Sequence, residues 1–132
     1  MSEPEGHRPV EYLEVDDLLA AGRALLDTEP VVRDWGALDS AVHRPRSSMF
    51  GVDAYPTLDT KAAALMLSVV QNHALMDGNK RLGVIAVIVF YGLNGQGFVA
   101  PHEELYELTM SIADGSLDDV ATVASTLAPW VR

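Results

Sequence analysis

The chain has 132 residues, of which 48% are hydrophobic and 21% are charged, a composition typical of a globular protein rather than a disordered one. Its formal net charge of −10 argues against nonspecific binding to nucleic acid, and the absence of cysteine excludes disulfides and thiolate metal sites. No apolar run reaches the ~20 residues of a membrane helix, and the polar, acidic N-terminus does not resemble a signal peptide. We therefore expect a cytoplasmic protein with a frayed tail over 1–10 and a single domain over 11–132.

Two helices are predicted in the first third of the chain. An apolar stripe with helical spacing predicts a helix over 11–27, with Asp16 or Asp17 as its N-cap. A shorter helix is predicted over 33–43, and Pro45 ends it.

Residues 44–56 form a long irregular segment, Arg-Pro-Arg-Ser-Ser-Met-Phe-Gly-Val-Asp-Ala-Tyr-Pro, which mixes turn-forming residues with apolar ones. In a compact domain, loops of this length are usually functional or mobile. A plain connector between two helices is the alternative interpretation, and both stay open at this point.

Two consecutive helices separated by a short turn are predicted in the middle of the chain. The first begins at Thr57 or Asp59 and runs to about Leu75, and the turn falls at Asp77-Gly78.

The helix after this turn begins near Asn79 and contains the apolar run 82–93. Because the run is apolar on every face, we expect this helix to be the buried centre of a bundle. Its β-branched residues would also suit a strand, but its length and the Asn-Gly stop after it favour a helix. Two amphipathic helices, over 102–113 and 117–131, complete the chain, so the predicted fold class is all-α.

The nine residues His-Ala-Leu-Met-Asp-Gly-Asn-Lys-Arg, 73–81, concentrate polar chemistry beside this apolar run. Lys80 and Arg81 fall in the first helical turn, where the helix dipole disfavours each cation by ~0.3–1 kcal/mol. Their position is understandable if an anion docks there, since free backbone N–H groups, an ammonium and a guanidinium would converge on a phosphate chain. Gly78 lets the backbone approach such a ligand closely. Asn79 is a good N-cap, and capping alone is an equally good interpretation of it.

Asp77 and His73 complete the cluster. A carboxylate beside phosphates requires a cation between them, and Mg²⁺ held by one carboxylate and phosphate oxygens is a common arrangement. The alternative role for Asp77 is a helix-capping acid. His73 can be neutral near pH 7 and can then accept a proton from a hydroxyl. A lone histidine is more often structural, but the joint spacing favours a catalytic role.

The pattern His73-x-x-x-Asp77-Gly78-Asn79-Lys80-Arg81 resembles the signature of the Fic/Doc family, H-x-F-x-[D/E]-[G/A]-N-[G/K]-R. A lysine at position 80, where most Fic enzymes have glycine, is similar to the Doc branch in particular. The order of the predicted helices and the loop before the long helix also match a Doc layout, from about residue 15 to the end.

The resemblance implies a compact helical bundle around a buried central helix, with a short flap loop or hairpin. It implies an enzyme that uses ATP or a related nucleotide with Mg²⁺ to modify hydroxyls on proteins. Members of the Doc branch are toxins of toxin–antitoxin modules. They transfer the terminal phosphate of ATP to elongation factor Tu, halt translation, and are neutralised by a Phd-type antitoxin.

The same resemblance implies roles for individual residues. His73 would be the general base and Asp77 the Mg²⁺ ligand, and residues 78–81 would bind the phosphates: Gly78, Asn79, Lys80 and Arg81. The 44–56 segment would be the flap that aligns the target peptide. Its working part would be Arg46, Ser47, Ser48, Met49 and Phe50.

Three departures from the family pattern refine this interpretation. Leu75 replaces the usual phenylalanine, which is a mild change at an apolar position. Val84 stands where AMP-transferring Fic enzymes have a second arginine, which favours the Doc branch over the alternative of an AMP or other NMP transferase. The sequence has no [S/T]-x-x-x-E-[G/N] self-inhibitory segment, so we expect inhibition in trans. A non-catalytic binding module is the remaining alternative, and the intact cluster speaks against it.

Overall fold

A computed structural model describes residues 9–132, and it shows six α-helices and one small hairpin. The prediction of an all-α fold is confirmed. The predicted tail lies outside the described residues except for Pro9 and Val10, and Val10 packs against the core. The elements, in order, are α1 Val15–Leu25, α2 Trp35–His43, a 3₁₀ turn Arg44–Arg46, β1 Ser48–Met49, β2 Val52–Asp53, α3 Leu58–Gln71, α4 Asn79–Leu93, α5 His102–Ala113, α6 Val120–Leu127 and a 3₁₀ turn Ala128–Trp130.

Side chains at the helix starts determine where several helices begin. Glu14, not Asp16 or Asp17, caps α1, and it forms a reciprocal capping box with Asp17. Of the two predicted starts of α3, Thr57 is the cap, and its side chain accepts from the Thr60 backbone. These contacts satisfy N–H groups that have no partner within the helix.

The last predicted helix, 117–131, is shorter in the structure. Asp119 caps α6 by accepting from the backbone and the hydroxyl of Thr122, and α6 ends at Leu127. Pro129 lies in the 3₁₀ turn that follows, because proline does not extend an α-helix. No helix within residues 9–132 is long and apolar enough to cross a membrane.

The helix at the centre of the core is α3. Ten consecutive residues of α3, from Lys61 to Val70, are buried, and the helix packs against α2, α4, α5 and α6. The helix that contains the 82–93 run was expected at the buried centre of the bundle, but α3 takes that place, and in α4 Ile88 is 42% and Leu93 45% exposed. One side of α4 packs on α3 and its other side is only partly covered by α1 and α5.

Close packing of α3 on α4 depends on a glycine. A β-carbon at Gly83 would lie 2.4 Å from Cγ2 of Val70. The missing side chain therefore lets the two helices approach. Since α3 ends and α4 begins at the His73–Arg81 cluster, this contact also fixes the two sides of that cluster relative to each other.

Candidate active site

The segment between α3 and α4 forms a tight loop. α3 ends at Gln71, Asn72 is its C-cap, and His73 has a left-handed backbone conformation with φ of 51°. The helix was predicted to run to about Leu75, but α3 ends earlier, so His73 lies outside the helix and is exposed. This conformation costs a residue with a side chain roughly 1–2 kcal/mol, so neighbouring contacts must maintain it.

Residues 31–34 brace the loop through hydrogen bonds. Val31 O accepts from Met76 N at 2.9 Å, and Ala74 O accepts from Arg33 N at 2.8 Å. The Arg33 guanidinium donates to the carbonyl of His73 at 2.7 Å. The side chain of Arg33 thus stabilises the strained backbone of His73. No sequence pattern links the two residues, which are 40 positions apart.

The side chain of Asn79 closes the loop from the other end. Its Oδ1 accepts from Leu75 N at 2.9 Å, and its Nδ2 donates to Leu75 O at 3.1 Å. The prediction of Asn79 as the N-cap is wrong, because Gly78 is the cap and Asn79 is the first residue of α4. Gly78 has φ of 89°, a conformation that glycine adopts without strain.

The cluster residues line one cavity. It has a volume of about 410 Å³ and lies at the loop between the two helices. The other lining residues come from the segment after α1, from α3 and from the end of α5. All six predicted phosphate, metal and base residues border it: His73, Asp77, Gly78, Asn79, Lys80 and Arg81.

Positive charge and free backbone donors meet at the N-terminal end of α4. The first turn of a helix leaves its N–H groups without intrahelical acceptors and is partly positive. This turn carries Lys80 and Arg81 and no acidic residue. Arg81 Nη1 lies 3.6 Å from Asp27, but both side chains are highly exposed, so the pair contributes little and leaves the guanidinium available to a ligand. The arrangement suits a polyanion such as a phosphate chain.

Among the described residues, Asp77 is the only acidic one in the cavity lining, and it is exposed. One of its oxygens accepts from Gly78 N at 2.9 Å. Within residues 9–132 no group of three His, Asp or Glu side chains is placed to hold a metal ion. A single carboxylate nevertheless fits Mg²⁺, which commonly takes one or two carboxylates and completes its coordination with water and substrate phosphates.

A second cavity, of about 520 Å³, adjoins the first and shares Leu26, Lys80 and Arg81 with it. Val84 and residues of α5 such as Tyr106 also line it, and this wall is mainly apolar. The participation of α1 and α5 was missed from the sequence, because their lining residues belong to ordinary amphipathic patterns.

The predicted flap contains a real hairpin, since β1 pairs antiparallel with β2. Ser47 precedes it, Ser48 and Met49 form β1, and Phe50 lies at the tip with 97% exposure. Arg46 instead lies in the 3₁₀ turn before the hairpin and bonds Glu14 at 3.0 Å. None of these five described residues lines either cavity.

Comparison with known proteins identifies the family of the chain. The profile of the Fic/DOC family matches residues 12–91, which contain the whole cluster. The chain belongs to the Fic/Doc family. A Fic/Doc relative named Toxin Doc, from Mycolicibacterium smegmatis, is 44% identical over 112 residues, which cover 85% of this chain and 82% of that protein. Membership of the Fic/Doc family indicates a transferase that acts on proteins with a nucleotide substrate.

Proposed function

We propose that this protein is the toxin of a toxin–antitoxin module and transfers the terminal phosphate of ATP to a hydroxyl on a target protein. The expected target is elongation factor Tu, and arrest of translation is the expected result. The observation that carries the proposal is the convergence of all six cluster residues on one cavity at a helix N-terminus. The 44% identity to a protein named Toxin Doc supports the biological role.

His73 supplies the base in this proposal. A ring nitrogen of His73 takes the proton of the target hydroxyl as the oxygen attacks the terminal phosphorus. The new bond joins the target oxygen to that phosphorus, the bond from phosphorus to the bridging oxygen breaks, and ADP leaves. The brace from Arg33 to the His73 carbonyl keeps the imidazole at the cavity during this step.

The start of α4 binds and neutralises the phosphates. Phosphoryl transfer requires little covalent chemistry from the protein, so positioning and charge stabilisation supply most of the rate. Backbone N–H groups of the first turn, with Lys80 and Arg81, provide both. The Asn79 side chain contributes by holding the loop in shape.

Asp77 would hold Mg²⁺ beside the phosphates. Bound there, Mg²⁺ would offset the negative charge of the phosphate oxygens. The carboxylate of Asp77 orients the loop by accepting a hydrogen bond from Gly78 N. Because Asp77 also lines the cavity, its remaining acceptor sites are available to a cation there.

The residue at position 84, a valine, supports transfer of the terminal phosphate rather than transfer of AMP. This apolar side chain lies at the wall of the second cavity, one helical turn beyond Lys80 and Arg81. In AMP-transferring Fic enzymes an arginine at this position gives a further phosphate contact, which this chain lacks.

We further propose a Phd-like antitoxin as the partner that inhibits the protein in trans. A target such as elongation factor Tu would place the activity in the cytoplasm.

The test is a reaction of purified protein with elongation factor Tu, Mg²⁺ and ATP labelled at either the γ- or the α-phosphate. We expect γ-label on elongation factor Tu with the wild type and none with His73→Ala. His43→Ala is the matched control, because His43 lies on α2 and lines neither cavity. Label from the α-phosphate would indicate nucleotide transfer instead, and no label from either position would refute a transferase acting on this target.

The toxin role has a separate test in cells. Wild-type protein expressed alone should arrest growth, and His73→Ala should not. Equal toxicity of both forms would refute the assignment of His73 as the base.

A further inference from the structure

The β-hairpin has little packing of its own. Its strands are two residues each, and the turn residues Phe50 and Gly51 have φ of 52° and 77°. Its apolar side chains are largely exposed, with Met49 at 70%, Phe50 at 97% and Val52 at 69%. A two-stranded hairpin is at best marginally stable in water. Its orientation must therefore come from contacts at its base.

Lys61 holds the segment that leaves the hairpin. This residue lies in the first half of α3 and is only 2% exposed. Its Nζ donates to the carboxylate of Asp53 at 3.1 Å and also to the carbonyl of Tyr55. The ring centroid of Tyr12 lies 5.8 Å from the same nitrogen, within the range of a cation–π contact.

Arg46 holds the segment that enters the hairpin. Its guanidinium bonds Glu14 at 3.0 Å and lies 4.8 Å from the ring centroid of Tyr12. The ring of Tyr12 is therefore in contact with both cations. A backbone bond of 2.8 Å from Ala54 N to Ser47 O joins the two segments. The base of the hairpin is thus attached to the protein on both sides.

The charge of Lys61 indicates what the residue does. A buried ammonium group loses its hydration, and the loss is offset only by close acceptors and an opposite charge. Methionine at position 61 would fill similar space without that penalty. Both acceptors, Asp53 and Tyr55, belong to the hairpin exit rather than to α3. The charge attaches the hairpin to the helix, in addition to any packing by the stem.

We propose that Lys61 is a positioning residue for the protein substrate. Through Asp53 and the Tyr55 carbonyl it keeps the hairpin in one orientation, so that the exposed hairpin meets the target chain in a constant register. This proposal rests on the proposed function, since it takes the hairpin as the target-binding flap. The register is defined relative to the imidazole of His73, because α3 carries Lys61 near its start and His73 follows the C-cap residue Asn72 at its end.

The experiment uses Lys61→Met, which keeps an unbranched side chain and removes the charge. Amide hydrogen exchange across residues 47–54 should accelerate about tenfold, because opening of the hairpin base no longer breaks the bridge. Phosphate transfer from ATP should show a KM for elongation factor Tu raised about fivefold and a KM for ATP within about twofold of wild type. Asp118→Asn, at an exposed position before α6, is the control and should leave both measurements unchanged.

Asp53→Asn removes the other charge of the Lys61–Asp53 salt bridge, at an exposed position. This variant provides the test if Lys61→Met fails to fold. If the two groups act through one bridge, the double variant should show the same KM as the more affected single variant. Additive effects of the two changes would contradict the bridge.

The experiment separates the attachment of the hairpin by Lys61, here called the clamp, from the proposed function. Unchanged hydrogen exchange in both single variants would overturn the clamp. Faster exchange with an unchanged KM for elongation factor Tu would overturn the positioning role. Absence of phosphate transfer by the wild type would refute the proposed function and with it the positioning role, and the exchange measurement would still decide whether Lys61 clamps the hairpin.

Discussion

Replacement of Asn79 by alanine should destabilise the protein even when no nucleotide is present. Its side chain makes both bonds to the backbone N–H and C=O of Leu75, a residue with 0% exposure. Each lost bond removes ~0.5–1.5 kcal/mol, and a buried group left unpaired costs up to ~3 kcal/mol. Some water will enter the loop, so we expect the free energy of unfolding to fall by about 2–3 kcal/mol.

The assay is urea denaturation of nucleotide-free protein, followed by circular dichroism at two or more wavelengths to check two-state behaviour. Lys80→Ala is the matched control, because Lys80 is the next residue of the same turn and is exposed. Its unfolding free energy should stay within about 1 kcal/mol of wild type, the size of the dipole effect on a first-turn cation, while its affinity for ATP falls. If Asn79→Ala also stayed within that limit, Asn79 would act through a ligand and not through the loop.

Three further predictions follow from contacts described above. Arg33→Ala should lower kcat about fivefold with KM for ATP unchanged, because loss of one exposed charge-assisted bond to His73 amounts to ~1 kcal/mol; a KM effect alone would contradict this. Gly83→Ala should lower the free energy of unfolding by about 1–3 kcal/mol through overpacking. Gly92→Ala, on the same helix with open space around it, should raise it slightly, and equal effects of the two in urea denaturation would refute the packing argument. Hydrogen bonds at the α6 cap lower the pKa of Asp119 below its usual 3.8, so its stabilising contribution is complete above that pH and is lost as the pH falls below it. Asp119→Asn should therefore flatten the acid limb of the pH–stability curve, and an unaltered acid limb would contradict the assignment.

The grouping of the candidate site residues at one cavity was predictable from the sequence because they are contiguous. His73 to Arg81 spans nine positions, and the Asp-Gly pair marks the turn that brings them to one cavity. The alternative interpretation of Asn79 as the N-cap of α4 was wrong, because the preference of asparagine for N-caps is only statistical. The positive φ of Gly78 places the cap one residue earlier and turns the asparagine side chain back to the loop.

Long-range polar contacts were not predictable. Arg33 and Lys61 look like ordinary surface cations in the sequence. In the structure, Arg33 donates a hydrogen bond to the carbonyl of His73, and Lys61 is 2% exposed in the core. Both depend on partners that periodicity does not identify. The exposure of Ile88 was missed for a different reason. α4 carries more apolar residues than its neighbouring helices cover, and apolar atoms form a large part of the surface of any folded protein.

The length of the buried helix α3 determines the distance between the hairpin and His73. Its 14 residues measure about 21 Å, with the hairpin attached near one end and His73 just beyond the other. Adding or deleting one residue inside it would rotate one end about 100° relative to the other and shift it about 1.5 Å. Such a change would misalign the hairpin with His73 even if the chain still folded. The length of α3 should therefore tolerate no change, whereas the exposed turn between α5 and α6 should accept insertions.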